Sequence, residues 1–202
     1  MRNKLMFVAL LFSFQIFAQN DPKTAFQKGK YEAAISYYKK ADYVKAIDLF
    51  SLAAKIKPEN QIAQEAIKKV DTLREILRKD ILDQAIGSWK KSGDQPIWAS
   101  TNVENQSGVD EIIEINKDEI LFYEVDKKTK VKTLIKKENL VYNDENSLVS
   151  LFSEIILSDG TIWNCQINEK SNVLHVINVA VKTENGIQKI NAENLERYYV
   201  RI

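Results

Sequence analysis

The residue types that most often do chemistry are scarce in this chain, which holds one histidine, His175, and one cysteine, Cys165. His175 lies in Val173-Leu174-His175-Val176-Ile177, so strand alternation places it on one face with Val173 and Ile177. A single histidine without carboxylates or thiols beside it makes no typical zinc site. No second member of a histidine–nucleophile dyad stands in view, so an isolated strand histidine is expected. Cys165 shares its face with Trp163 and Ile167, which predicts a small buried hydrophobe. A reactive thiol needs basic neighbours to lower its pKa, and Asn164 and Gln166 are not basic. Carboxylates are many, but no spacing singles out a pair, and the six glycines form no phosphate-binding loop. The sequence therefore predicts no catalytic residue, no metal site, no cofactor and no enzyme.

The elements that would position any site begin after a leader-like start. Met1-Arg2-Asn3-Lys4 is basic, an apolar run follows from Leu5 to Phe17, and Ala18 supplies a small residue before Gln19-Asn20. These are the three parts of a secretory signal peptide over residues 1–18. The apolar run of about 13 residues is shorter than the ~20 a spanning helix needs, and no later segment is long and apolar enough. With no cysteine near the cut, the expected location is periplasmic or secreted, without a lipid anchor. Cleavage would remove Arg2 and Lys4 and leave 27 basic against 28 acidic side chains, a net charge of −1. That balance gives no electrostatic case for nucleic acid. One cysteine allows no intramolecular disulfide, so the fold must stand on apolar burial.

Two textures follow. From Asp21 to Gly87 alanine, lysine, glutamate, isoleucine and leucine dominate, with apolar residues at helical spacing. Ala46, Phe50 and Ala53 share one helix face, and Pro58 stops the helix that Val44 begins. Ala63, Ala66, Val70, Leu73, Leu77 and Ile81 step by three or four along a further helix running to about Ile86, with Glu65–Lys69 and Glu75–Lys79 as charge pairs on its wet side.

The run Asp42-Tyr43-Val44-Lys45-Ala46-Ile47-Asp48-Leu49-Phe50-Ser51-Leu52-Ala53, ending at Pro58-Glu59-Asn60, resembles the second helix of a tetratricopeptide repeat. Ala33, Ala34 and Tyr37 fall where the first helix of that repeat carries small, small and aromatic residues, with Lys30 departing from the pattern. In a second register, Gly29 to Ala41 also fits a second helix, with a stripe of Tyr31, Ala34, Ile35, Tyr38 and Ala41. The resemblance implies a helical hairpin plus a capping helix over residues 22–86, and a simple three-helix bundle is the plainer alternative. It also implies partner binding on the concave side of the stack, where Lys28, Tyr31, Ile35 and Tyr38 are the corresponding residues. Cover from the β region or from residues 21–26 is the competing account of that stripe.

After Gly87 alanine nearly vanishes and β-branched and aromatic residues rise, predicting an antiparallel β domain over residues 87–202. About eight strands are expected, near residues 109–116, 119–126, 131–136, 140–142, 148–157, 161–167, 173–181 and 195–202. Asp159-Gly160 between two apolar runs is a hairpin signal. The fold class is thus α+β, with a barrel-like meander that full closure would complete, or a generic antiparallel sheet or sandwich. Gly87-Ser88-Trp89 resembles the Gly-x-Trp opening of lipocalin-like (calycin) barrels. That resemblance implies a tryptophan plugging the closed end against an arginine of the last strand, Arg197 or Arg201. The function expected first is a non-enzymatic interaction module in the periplasm or envelope, meeting another protein or a second copy through its helical half. A small apolar-ligand carrier built on the barrel is the alternative, and a structural spacer fits the same pattern.

Overall fold

The computed structural model describes residues 21–94, 108–144, 153–168, 170, 172–190 and 196–202. The expected signal peptide, residues 148–152 of one expected strand and Leu195 of another lie outside them. The architecture is α+β: helices α1 (Pro22–Lys39), α2 (Tyr43–Ile56) and α3 (Gln61–Ala85) precede the strands of one antiparallel sheet. Contacts divide the described residues into two compact units, the first ending at Glu75 and the second starting at Ile76, within α3. No helix among the described residues is long and apolar enough to cross a membrane.

In the first unit, the Asp21 side chain caps α1 by accepting from the Lys23 amide at 3.0 Å, with Pro22 at the first helical position. Ala41 then turns the chain with φ of 58°, which ends α1 before the stripe of the second register can include it. Asp42 caps α2, accepting from the Lys45 amide at 3.3 Å. Ala46, Phe50 and Ala53 are fully buried, as their spacing predicts, and so are Ala63, Ala66, Val70 and Leu73 of α3. The charge pairs expected along α3 form differently: Glu65 accepts from Gln61 Nε2 at 2.9 Å and from the Tyr31 hydroxyl, while Lys79 pairs with Asp83. A polar residue organises the hairpin. Gln27 is fully buried, and its Nε2 donates to the carbonyl of Ala53 at 2.8 Å and to Asn60 Oδ1 at 3.1 Å. Asn60 Nδ2 returns a bond to Gln27 Oε1 at 2.5 Å, and Asn60 Oδ1 caps α3 at the Ala63 amide. One buried amide pair thus ties α1 to the end of α2 and the start of α3, satisfying groups that burial would otherwise leave costly.

The second unit carries β1 (Gly87–Gly93), β2 (Val109–Ile115), β3 (Glu119–Asp126), β4 (Lys132–Asn139), β5 (Glu154–Ile156), β6 (Thr161–Asn168), β7 (Val173–Thr183), β8 (Gly186–Lys189) and β9 (Glu196–Arg201). Their order is β4-β3-β2-β1-β9-β7-β6-β5, with β8 paired to the far half of β7. β1 and β8 were not among the expected strands, because β1 offers only Trp89 as a large apolar residue and β8 is four residues long. Residues 140–142 form no strand, only a bridge from Tyr142 to Ile155.

The sheet is open, which corrects the expectation of a closed barrel. Its end strands, β4 and β5, share no ladder. They meet in a seam made of the Tyr142–Ile155 bridge, with Asn143 N donating to Glu154 O at 3.0 Å and Ile156 N to Val141 O at 2.8 Å, and of side chains. Glu138 on β4 accepts from the Ser158 amide at 2.8 Å and hydroxyl at 2.7 Å, and Lys136 reaches Asp159 at 3.3 Å. β5 is only three residues long, and its ladder is with β6, so toward the β4 side it offers just the single bridge to Tyr142. The core gathers Trp89, Ile113, Ile120, Ile155, Trp163, Leu174, Val176 and Tyr199 on one face of the sheet.

Candidate functional site

Lys28, Tyr31, Ile35 and Tyr38 run along α1, but the two tyrosines already have partners within the unit. The Tyr31 ring meets Phe50 edge-on at 5.3 Å, and its hydroxyl donates to Glu65 at 3.3 Å. Tyr38 lies 5.7 Å from Tyr43, with the Lys69 ammonium 5.3 Å from its ring centre. Ile35 is half-buried, and Lys28 is exposed in an ion pair with Glu32 at 3.8 Å.

The residues of the Gly-x-Trp opening do come together, with one arginine rather than two. Trp89 is fully buried, pairs with Arg201 across β1 and β9, and donates from Nε1 to the Ala85 carbonyl at 2.7 Å. The Arg201 guanidinium stands 4.4 Å from the Trp89 ring centre and donates to the carbonyls of Ile86, at 3.2 Å, and Gln84. It therefore satisfies the free carbonyl end of α3, where a cation also suits the helix dipole. Gly87 keeps the space open: its φ is 138°, and a Cβ there would meet Arg201 Nη1 at 3.3 Å. Arg197 belongs elsewhere. Four residues back along β9, it faces Trp163, with its guanidinium 5.9 Å from that ring centre.

Arg197 and Trp163 line a cavity of about 320 Å³ in the sheet unit. Phe122, Tyr199 and Leu157 give it apolar walls, with Phe122 set edge-on to Trp163 at 5.7 Å. Lys91, Glu111, Lys136, Asp159, Thr161 and Asn178 supply polar groups. Two residues of this lining each carry a buried polar atom without a hydrogen-bond partner, the donor Trp163 Nε1 and the acceptor Asn178 Oδ1. Trp163 and Asn178 are direct cross-strand neighbours at a register shift in the β6–β7 ladder, where the pairing jumps from Ile162–Ala180 to Trp163–Asn178. Such bulges re-aim side chains and are common beside functional sites. An asparagine inside the apolar run Val176-Ile177-Asn178-Val179-Ala180 was the available sequence signal for this place. A second, apolar cavity of about 40 Å³ borders Cys165, whose thiol burial pushes up to about 12, far from any reactive form.

His175 is not isolated, which corrects the expectation drawn from its strand. Its ring stacks on Tyr198 at 4.3 Å, and Nε2 lies 3.0 Å from Glu196, which also accepts the Tyr198 hydroxyl at 2.6 Å. The Tyr198 hydroxyl, then His175, holds the Glu196 carboxyl below its usual range, while burial and then Glu196 push Tyr198 up to about 12. The trio joins β7 to β9 through the register pairs His175–Tyr198 and Ile177–Glu196. No group of three or more metal-ligating side chains occurs among the described residues.

The seam beside the cavity has a defined response to pH. Burial pushes the Glu138 carboxyl up, but Lys136 and the Ser158 hydroxyl and amide outweigh it and hold it below the ordinary 4.5. Asp159 is likewise raised by burial, yet held below 3.8 by Thr161 and Lys136. Both carboxylates have depressed folded-state values, so their stabilisation is complete above the unfolded values and disappears as pH falls through the folded ones. Lys136 is raised, chiefly by Glu138, so its share is present below 10.5 and lost only as pH rises past its folded value. Acid titration followed by circular dichroism is expected to show stability falling below about pH 4, with a flatter acid limb in Glu138→Gln. An unchanged limb in that variant would remove the seam as the acid-sensitive element.

Comparison of the chain with protein-family models, with curated proteins and with solved structures finds no match.

Proposed function

We propose that the sheet unit binds a small molecule in the 320 Å³ cavity and that the protein acts, outside the cytosol, as a non-catalytic carrier of it. The observation that carries this reading is the pair of unpartnered buried atoms, Trp163 Nε1 and Asn178 Oδ1, borne by two residues of the cavity wall. Each such group costs about 1–3 kcal/mol when buried without a partner, so a fold that keeps both forgoes stability at this place. Both atoms are closed to solvent, and the residues that carry them line the cavity. The volume is at the lower end of the range of about 300–1,000 Å³ that ligand sites occupy.

Native mass spectrometry of the protein, purified gently from its own cells, tests the reading. The expected spectrum carries an adduct on the order of a few hundred daltons, as a ligand of that volume requires. Asn178→Leu is expected to abolish the adduct while raising stability by about 1 kcal/mol, because it removes a buried acceptor without a partner. A bare chain, or an adduct that persists in Asn178→Leu, would sink the carrier reading. A second reading, docking of another protein or a second copy on the helical unit, is favoured by Phe26 at 56% exposure, Val44 at 49% and Leu52 at 39%. A dimer or an additional polypeptide in the same spectra is the outcome that reading requires.

A further inference from the structure

Among the described residues three cations line the cavity, and two of them are matched. Lys91 pairs with Asp94 at 3.3 Å and Glu111 at 3.2 Å, and Lys136 pairs with Glu138 at 2.5 Å and Asp159 at 3.3 Å. Arg197 differs: among the described residues no carboxylate pairs with it, and its contact is the Trp163 ring. It is half-buried, so its fork of donors is partly removed from water without a compensating anion. Guanidinium groups in such positions suit planar anions, which they hold through two parallel hydrogen bonds. The neighbouring walls are Phe122, Trp163 and Tyr199, which suit an apolar or aromatic body.

We infer that the molecule taken up is a small organic anion, with a carboxylate on Arg197 and an aromatic or apolar body against Phe122, Trp163 and Tyr199. This rests on the cavity being a ligand site and adds the chemical class of the ligand. It departs from the purely apolar ligand that a lipocalin-like resemblance suggests, because the wall offers a half-buried charge that such a ligand would leave unpaired.

The test uses two probes of one shape, 1-naphthoate and 1-naphthalenemethanol, titrated calorimetrically into the full chain at neutral pH. The acid is expected to bind about tenfold tighter than the alcohol or better, as a charge-assisted bidentate pair implies. In Arg197→Gln the acid is expected to weaken about 10- to 100-fold while the alcohol holds, so the ratio falls to near one. Arg197→Lys keeps the charge and loses the fork, and an intermediate ratio is expected from it, which keeps the test available should Arg197→Gln fold poorly. Equal binding of acid and alcohol, or a preference unchanged in both variants, overturns the inference and leaves the cavity reading intact. Binding of neither probe at millimolar concentration overturns both together.

Discussion

Trp89→Ala is expected to cost about 3–5 kcal/mol, a large share of the roughly 5–15 kcal/mol by which such domains are stable. The indole is fully buried, and three attachments meet on it. Its ring packs in the sheet core, its Nε1 donates to the Ala85 carbonyl, and its face carries the Arg201 guanidinium. Truncation leaves a cavity in the core and frees Arg201 from the surface that orients it toward the Gln84 and Ile86 carbonyls. Trp89→Phe keeps most of the packing and loses the hydrogen bond, so about 1–2 kcal/mol is expected. Urea denaturation followed by far-ultraviolet circular dichroism measures both. Equal costs for the two variants would show that the hydrogen bond, rather than the buried volume, holds the joint.

Gly160→Ala is the second large effect, expected at about 3 kcal/mol or more from two sources that add. Gly160 has a φ of 84°, and a Cβ placed there would lie 2.4 Å from the carbonyl oxygen of Lys182. That carbonyl is backbone and cannot rotate away, and Lys182 N already donates to Gly160 O at 2.7 Å. Gly160→Asn separates the sources, because asparagine tolerates positive φ but brings the same Cβ. If the contact dominates, asparagine is as damaging as alanine. A full rescue by asparagine would leave the backbone angle as the only reason for glycine, and the close approach to β7 would carry no weight.

How much of this was legible beforehand differs residue by residue. Asp159-Gly160 announced its hairpin because turn chemistry is local, and Ala46, Phe50 and Ala53 announced their face because helical periodicity is local too. Trp89 and Arg201 were brought together only by a resemblance, since 112 positions separate them and the β1–β9 ladder makes the contact. Gln27 gave no warning: a glutamine in a polar helix stretch reads as solvent-facing, and only the packed hairpin buries it against Ala53 and Asn60. His175 was read alone because Glu196 and Tyr198 reach it through strand pairing, not through sequence proximity. The cavity was illegible for the same reason. Trp163, Asn178 and Arg197 come from three strands, and the slip of register that sets the first two side by side leaves the apolar run of β7 unbroken apart from the asparagine itself.

The seam between β4 and β5 has a kinetic consequence. A ladder of the β2–β3 kind opens only by breaking many backbone hydrogen bonds together, whereas among the described residues the seam shows two, with a few side chains. Local openings follow the path of fewest such bonds, so breathing of the sheet concentrates at this one edge while β1, β9 and β7 stay paired. Lys136 and Asp159 sit both on the seam and on the cavity lining, so a fluctuation that loosens the edge also moves part of the lining. For the proposed carrier, exchange of the bound molecule is then expected to follow the lifetime of a few side-chain contacts, shorter than the lifetime of the fold.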